Sequence, residues 1–144
     1  MSETSFQYSN QPNIPIPLRV GIDMIEIARI QTALMRYGPR FLDRIYTENE
    51  KVEFQNKIIS LAGRFAVKEA CSKALGTGID GLQWIDIECL RSPAGKPYLV
   101  LRGAADSLAR AQGWVYADVS ISSSKEFCVA TVVAYCGPTA LPQM

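Results

Sequence analysis

The stretch that most narrows the possible folds is residues 58–75, IISLAGRFAVKEACSKAL, an uninterrupted helical pattern without proline that ends at Gly76. At 100° per residue Ala66, Ala70 and Ala74 fall into one column with Val67 and Cys71 beside it, while Phe65, Glu69, Ser72 and Lys73 face the other way. A column of alanines lets a second backbone come close, so this helix is expected at the centre of the fold. Gly76 reads as its C-cap, in the left-handed conformation that glycine adopts most readily. Glu69 and Lys73, four residues apart, read on the helix alone as an ordinary solvated pair, with a polar working face as the alternative.

Around that helix the hydrophobic period changes. LRVGID reads as a strand from Leu18 to Asp23. A helix follows with Ile27, Ile30 and Leu34 on one face, until Gly38-Pro39 breaks it. FLDRIYT and TENEKVEFQN read as short helices, with Thr47 and Glu50 spaced as a capping box. Beyond Gly81 the pattern alternates. QWIDIECL and PYLVLRG read as strands joined by the turn RSPAGK, residues 102–112 as a short helix, and VYADVSIS with FCVATVVAY as a hairpin over SSKE. Helices gathered ahead of a mainly antiparallel sheet give an α+β class with the sheet packed on the long helix. With 144 residues one domain is expected, spanning 18–136, between a Ser/Gln/Asn/Pro-rich arm at 1–17 and a loose tail at 137–144.

Composition removes several chemistries. The chain has no histidine, which excludes Ser-His-Asp and Cys-His nucleophile systems and imidazole acid-base work, and leaves carboxylates, lysines or a metal-bound water. Its net charge of +1 gives no global basic field, so nucleic acid is not an expected partner, and no apolar run suits a membrane span. Cys71, Cys89, Cys128 and Cys136 lack any C-x-x-C pair and read as small buried hydrophobes in a reducing compartment. The first residues have no signal-peptide pattern, so a cytoplasmic location is expected.

GTGIDG, residues 76–81, has the letters of a dinucleotide fingerprint in the wrong setting, because a helix precedes it and a strand follows. Asp23 admits two readings. With Glu26 three residues on it makes a capping-box-like helix start, and as an acid at a strand end it can join a second acid from the long helix in an oxygen-ligand Mg²⁺ site.

Taken in order, GIDMIEIARI, AGRFAVKEACSKALGTGI, GKPYLVLRG and VSISSSKEFCVATVVA resemble the signatures of the holo-acyl-carrier-protein synthase family, small phosphopantetheinyl transferases. The likeness runs from about Leu18 to Tyr135. The resemblance implies a cytoplasmic enzyme of fatty acid biosynthesis that moves 4′-phosphopantetheine from coenzyme A onto a serine of acyl carrier protein and releases adenosine 3′,5′-bisphosphate. It implies Asp23 and Glu69 as Mg²⁺ ligands, Lys73 at the leaving phosphate, and Lys68 pairing with a carboxylate or phosphate, with the two lysines exchangeable. The serine proton would go to Glu69 or to a metal-bound water. Gly76, Thr77 and Gly78, the turn Gly95, Lys96 and Pro97, and Ser122 and Ser123 would border coenzyme A. Many members of the family have histidine where this chain has Ser123, at the coenzyme's 3′-phosphate; Ser122, Ser123, Ser124 and Lys125 offer donors in its place. Arg29, Arg36, Arg40 and Arg44 would form a basic ridge for the acidic carrier protein. The family typically forms trimers with sites between protomers. The alternative is a carrier-binding module without catalysis, suggested by that missing histidine.

Overall fold

A computed structural model of the chain describes residues 18–137. The expected arm at 1–17, and all of the tail beyond residue 137, lie outside the described residues. The architecture is α+β, as the pattern predicts. Strand β1 (Leu18–Glu26) leads into α1 (Ile27–Tyr37), α2 (Pro39–Ile45), α3 (Glu48–Phe54) and the long α4 (Ile58–Leu75). A single 3-10 turn, Trp84–Asp86, then precedes β2 (Ile87–Arg91), β3 (Pro97–Leu101), α5 (Gly103–Ala111), β4 (Trp114–Ser123) and β5 (Phe127–Cys136).

Local chemistry sets these boundaries. Gly38 takes φ 54° and ends α1, and Pro39 opens α2 at a position whose N–H would be unpaired in any helix. At α3 the capping box forms as the spacing predicts, with the Thr47 hydroxyl accepting from the Glu50 N–H and the Glu50 carboxylate from the Thr47 N–H. Gly76 ends α4 at φ 87°. Two boundaries differ from expectation. The first half of QWIDIECL is the 3-10 turn, held by the Asp86 carboxylate on the Gln83 N–H. β1 continues through Asp23 to Glu26, so Asp23 lies inside a strand and caps no helix; the N-cap of α1 is Glu26, with no side-chain cap bond.

Strands order as β1-β5-β4, antiparallel throughout, and β2-β3 form a separate hairpin. The register stacks Gly21, Val132 and Val119 in one row and Asp23, Ala130 and Ile121 in the next, on the face that covers α4. α4 is the core of the molecule. Leu61, Ala62, Ala66, Val67, Ala70, Cys71 and Leu75 are sealed from solvent, each large apolar side chain contributing about 2 kcal/mol by burial. The two-faced picture of this helix therefore needs correction. Ser72 is buried as well, and only a narrow strip, Phe65, Glu69 and Lys73 at four-residue spacing, remains partly open after the first turn. All four cysteines are free and buried, as expected; burial pushes the Cys71 thiol up to about 12 and the Cys89 thiol up to about 11, which keeps both unreactive. No helix among the described residues is long and apolar enough to cross a membrane.

Candidate active site

The alanine column of α4 explains how the site is assembled. Gly21 of β1 lies directly on it: a Cβ built at Gly21 would stand 1.8 Å from the Ala70 carbonyl oxygen and 2.8 Å from the Ala74 nitrogen. Any side chain at residue 21 would force strand and helix apart. Two residues further along the same inward face comes Asp23, and one residue before Ala70 on α4 comes Glu69, so the close backbone approach brings an acid from each element into one place.

There the charges interact. Burial, and then the Asp23 carboxylate, hold the Glu69 carboxyl above the usual carboxylate range, and Lys73 acts in the opposite direction. Lys73, one turn beyond Glu69, donates to Asp23 Oδ1 at 3.2 Å and to the Ile22 carbonyl at 3.0 Å. Two neighbouring carboxylates and a backbone carbonyl are oxygen donors of the kind that hard cations take, and the half-exposed Lys73 ammonium beside them is a counter-charge for an anion.

A second feature lies elsewhere. A cleft of about 580 Å³ runs between the start of α4, the β2-β3 turn and strand β4; Gly95, Lys96, Pro97 and Ser123 line it, and so do Arg64 and Arg91. Arg64 is 3% exposed, with its Nε donating to the Cys89 carbonyl at 3.4 Å and its guanidinium 3.8 Å above the Phe54 ring. Arg91 approaches the same ring at 5.7 Å. Arg64 has no carboxylate partner among the described residues, and burial lowers its pKa. A cleft with two stacked guanidiniums and several hydroxyls suits a phosphate-bearing ligand.

Comparison with known proteins places the chain in a family. Residues 19–132 match the family model of the 4′-phosphopantetheinyl transferase superfamily. The chain belongs to this superfamily. Holo-[acyl-carrier-protein] synthase of Koribacter versatilis is 42% identical over 120 residues, covering 81% of this chain and 96% of its own length, and the Alkaliphilus metalliredigens protein of that name is 47% identical over 118 residues, covering 80% and 96%. The crystal structure of the Helicobacter pylori synthase in complex with coenzyme A superposes with a TM-score of 0.74 at 37% identity, over 80% of this chain and 98% of that one.

In this phosphopantetheinyl transferase the residues singled out by sequence fall into separate groups. Asp23, Glu69 and Lys73 come together. Gly95, Lys96, Pro97 and Ser123 share the cleft, Lys96 paired with Asp118 at 2.8 Å, whereas Ser122 points to the opposite face of the sheet. Gly76, Thr77 and Gly78 wrap the C-terminus of α4, where the Thr77 and Gly78 N–H groups bond the Ser72 carbonyl; they follow Lys73 and do not line the cleft. Arg29, Arg36, Arg40 and Arg44 are all exposed on α1 and α2, which permits a basic docking face.

Lys68 takes the carboxylate of its two expected partners, but in the core and not at the site, which corrects its expected catalytic place. Although adjacent to Glu69 in sequence, it sits about 100° around the helix, and its ammonium is fully buried. It pairs with Glu50 Oε1 at 2.7 Å and donates to the carbonyls of Trp84, at 3.3 Å, and Ile87. Three donors meet three acceptors, and none is left for substrate. The same Glu50 carboxylate caps α3 and accepts from the Cys89 N–H at 3.1 Å, so one buried ion pair ties α3, α4 and β2 together. Sequence reasoning gave Arg64 and Arg91 no role. The available signal was Arg64 itself, a guanidinium on a helix otherwise buried on nearly every side.

Proposed function

We propose that this enzyme transfers 4′-phosphopantetheine from coenzyme A to a serine of an acyl carrier protein, with Mg²⁺ held by Asp23 and Glu69, and releases adenosine 3′,5′-bisphosphate. The observation that carries this reading is the convergence of Asp23, Glu69 and Lys73 where β1 crosses α4. Family membership and the names of the relatives support the substrate pair.

The donor set fits magnesium. Among the described residues no group of three or more His, Cys, Asp or Glu surrounds a common point. Mg²⁺, however, needs only one or two carboxylates where substrate phosphates and water complete an octahedron. When bound, the metal would neutralise charge that develops on the phosphate oxygens as the P–O bond breaks.

The chain's own groups do the rest. The carrier serine oxygen forms a bond to the pantetheine-side phosphorus while the bond to the oxygen of adenosine 3′,5′-bisphosphate breaks. Glu69 is the chain's own group placed to accept the serine proton. Lys73 faces the departing phosphate as a mobile point charge. Arg64 and Arg91, with Ser123 and the Gly95–Pro97 turn, hold the nucleotide end, and the two guanidiniums take over the contact that the absent histidine makes elsewhere in the family.

The cleft and the carboxylate cluster do not share a wall within one chain. The outer face of the sheet carries Leu18, Val20, Ile22 and Met24, each between 59% and 66% exposed, beside Val133, Tyr135 and Tyr116. An apolar sheet face of this extent is an interaction surface. It supports a homotrimer in which the cleft of one copy meets the carboxylates of the next.

The test is mass spectrometry of an apo carrier protein incubated with the enzyme, coenzyme A and Mg²⁺. Gain of one phosphopantetheinyl group, abolished by a chelator, supports the proposal. Carrier binding without mass gain across several carriers would replace it with the non-catalytic module.

A further inference from the structure

Lys73 makes two contacts that a purely substrate-facing lysine does not need. Its ammonium lies on Asp23 Oδ1 and on the Ile22 carbonyl, the same hard oxygens that a divalent ion at Asp23 would draw on. The inference rests on the reading of Asp23 and Glu69 as the metal site and concerns how that site is filled.

The close packing of Gly21 on the backbone of Ala70 sets the strand–helix spacing that holds the two acids side by side. The Lys73 side chain can move. It is 51% exposed while Asp23 is 18% exposed, and its four-carbon stem reaches outward from the open strip of α4. A metal ion arriving alone must displace the ammonium and then sit beside it as a like charge. A metal ion arriving with a pyrophosphate meets no such obstacle, since the phosphate oxygens give the ammonium a new partner.

We propose that Lys73 holds the Asp23 carboxylate as a tethered cation until a polyphosphate draws it away, so that the site takes the divalent ion and coenzyme A together and resists the ion alone. Lys73 thereby serves first the empty enzyme and then the leaving phosphate. The coupling is reciprocal, so the metal raises coenzyme affinity by the factor by which the coenzyme raises metal affinity.

The test is Mn²⁺ binding to the full-length protein, followed by the electron paramagnetic resonance of the free ion, without coenzyme and then with it. In the absence of coenzyme A, Lys73→Met binds Mn²⁺ about three- to tenfold more tightly than wild type, as loss of a half-exposed ion pair and one like charge implies. Lys73→Arg, which keeps the charge, binds as wild type does. With coenzyme A present the advantage of Lys73→Met shrinks. Both variants alter a half-exposed position, and their melting temperatures verify folding. If Lys73→Met binds Mn²⁺ no more tightly than wild type while Asp23→Asn abolishes binding, the metal site stands and this inference falls. If wild type and Lys73→Met both fail to bind Mn²⁺ even with coenzyme A, the metal reading fails and takes the inference with it.

Discussion

Gly21 and Ala70 are in backbone contact: a single added carbon at Gly21 would lie 1.8 Å from the Ala70 carbonyl oxygen. This contact sets the distance between β1 and α4, and with it the juxtaposition of Asp23 and Glu69. It also explains why the strand segment G-x-D and the alanine column of the helix belong together, although some forty residues separate them.

Gly21→Ala should therefore damage both fold and site. Overpacking of this kind costs about 3 kcal/mol or more, read as a shift in urea midpoint. Ala70→Gly will not rescue it, because the obstacle is the Ala70 carbonyl and not its methyl. Residual folded protein should lose Mn²⁺ binding.

The buried Lys68–Glu50 pair makes a different prediction. Lys68→Met strands a carboxylate that is fully buried, at a cost of about 3–5 kcal/mol. Adding Glu50→Gln removes the stranded charge and keeps the cap on α3, so the double variant should recover much of the loss. Denaturant titrations of both single variants and the double one test this coupling. Loss of stability with unchanged turnover per folded molecule is the result expected of an interior residue.

Acid dependence follows from Glu69. Its folded pKa lies above the ordinary 4.5, so the folded chain binds this proton more readily than the unfolded chain. The group's favourable contribution is complete below the unfolded value and is lost as pH rises through the folded one. Glu69→Gln should therefore melt higher than wild type in metal-free buffer near pH ~7, and the difference should vanish near pH ~4. Saturating Mg²⁺ with coenzyme A should reverse the order, since only wild type gains a ligand.

In the cleft, Arg64→Gln should raise KM for coenzyme A about tenfold or more with a smaller change in kcat, the mark of an interaction made equally in ground and transition states. The same variant should lose discrimination between coenzyme A and its analogue lacking the 3′-phosphate. Steady-state kinetics with both donors decides this.

The parts of the fold legible in sequence were those set by local chemistry. The long helix, its glycine C-cap, the Thr47–Glu50 capping box and the β4-β5 hairpin all follow from nearest-neighbour rules and periodicity. The strand limit at Asp23 was misplaced because pairing with β5 extends β1 to Glu26, a tertiary effect that no local signal encodes. Lys68 misled for a related reason. It adjoins Glu69 in sequence, but its partner Glu50 lies 18 positions away and became visible only once α3 packed on α4. The role of Glu50 as cap was readable; its second role as a buried counter-ion was not. Arg64 and Arg91 escaped because their common partner, the Phe54 ring, stands on a third element.

The central claim is that Asp23 and Glu69 share one divalent ion with the coenzyme's phosphates. A crystal structure of the enzyme with coenzyme A and Mn²⁺, collected for anomalous scattering, tests it most directly. One anomalous peak bonded to an oxygen of each carboxylate is expected, with Lys73 turned from Asp23 toward phosphate. A peak that leaves either acid uncoordinated, or coenzyme bound away from both, would contradict it.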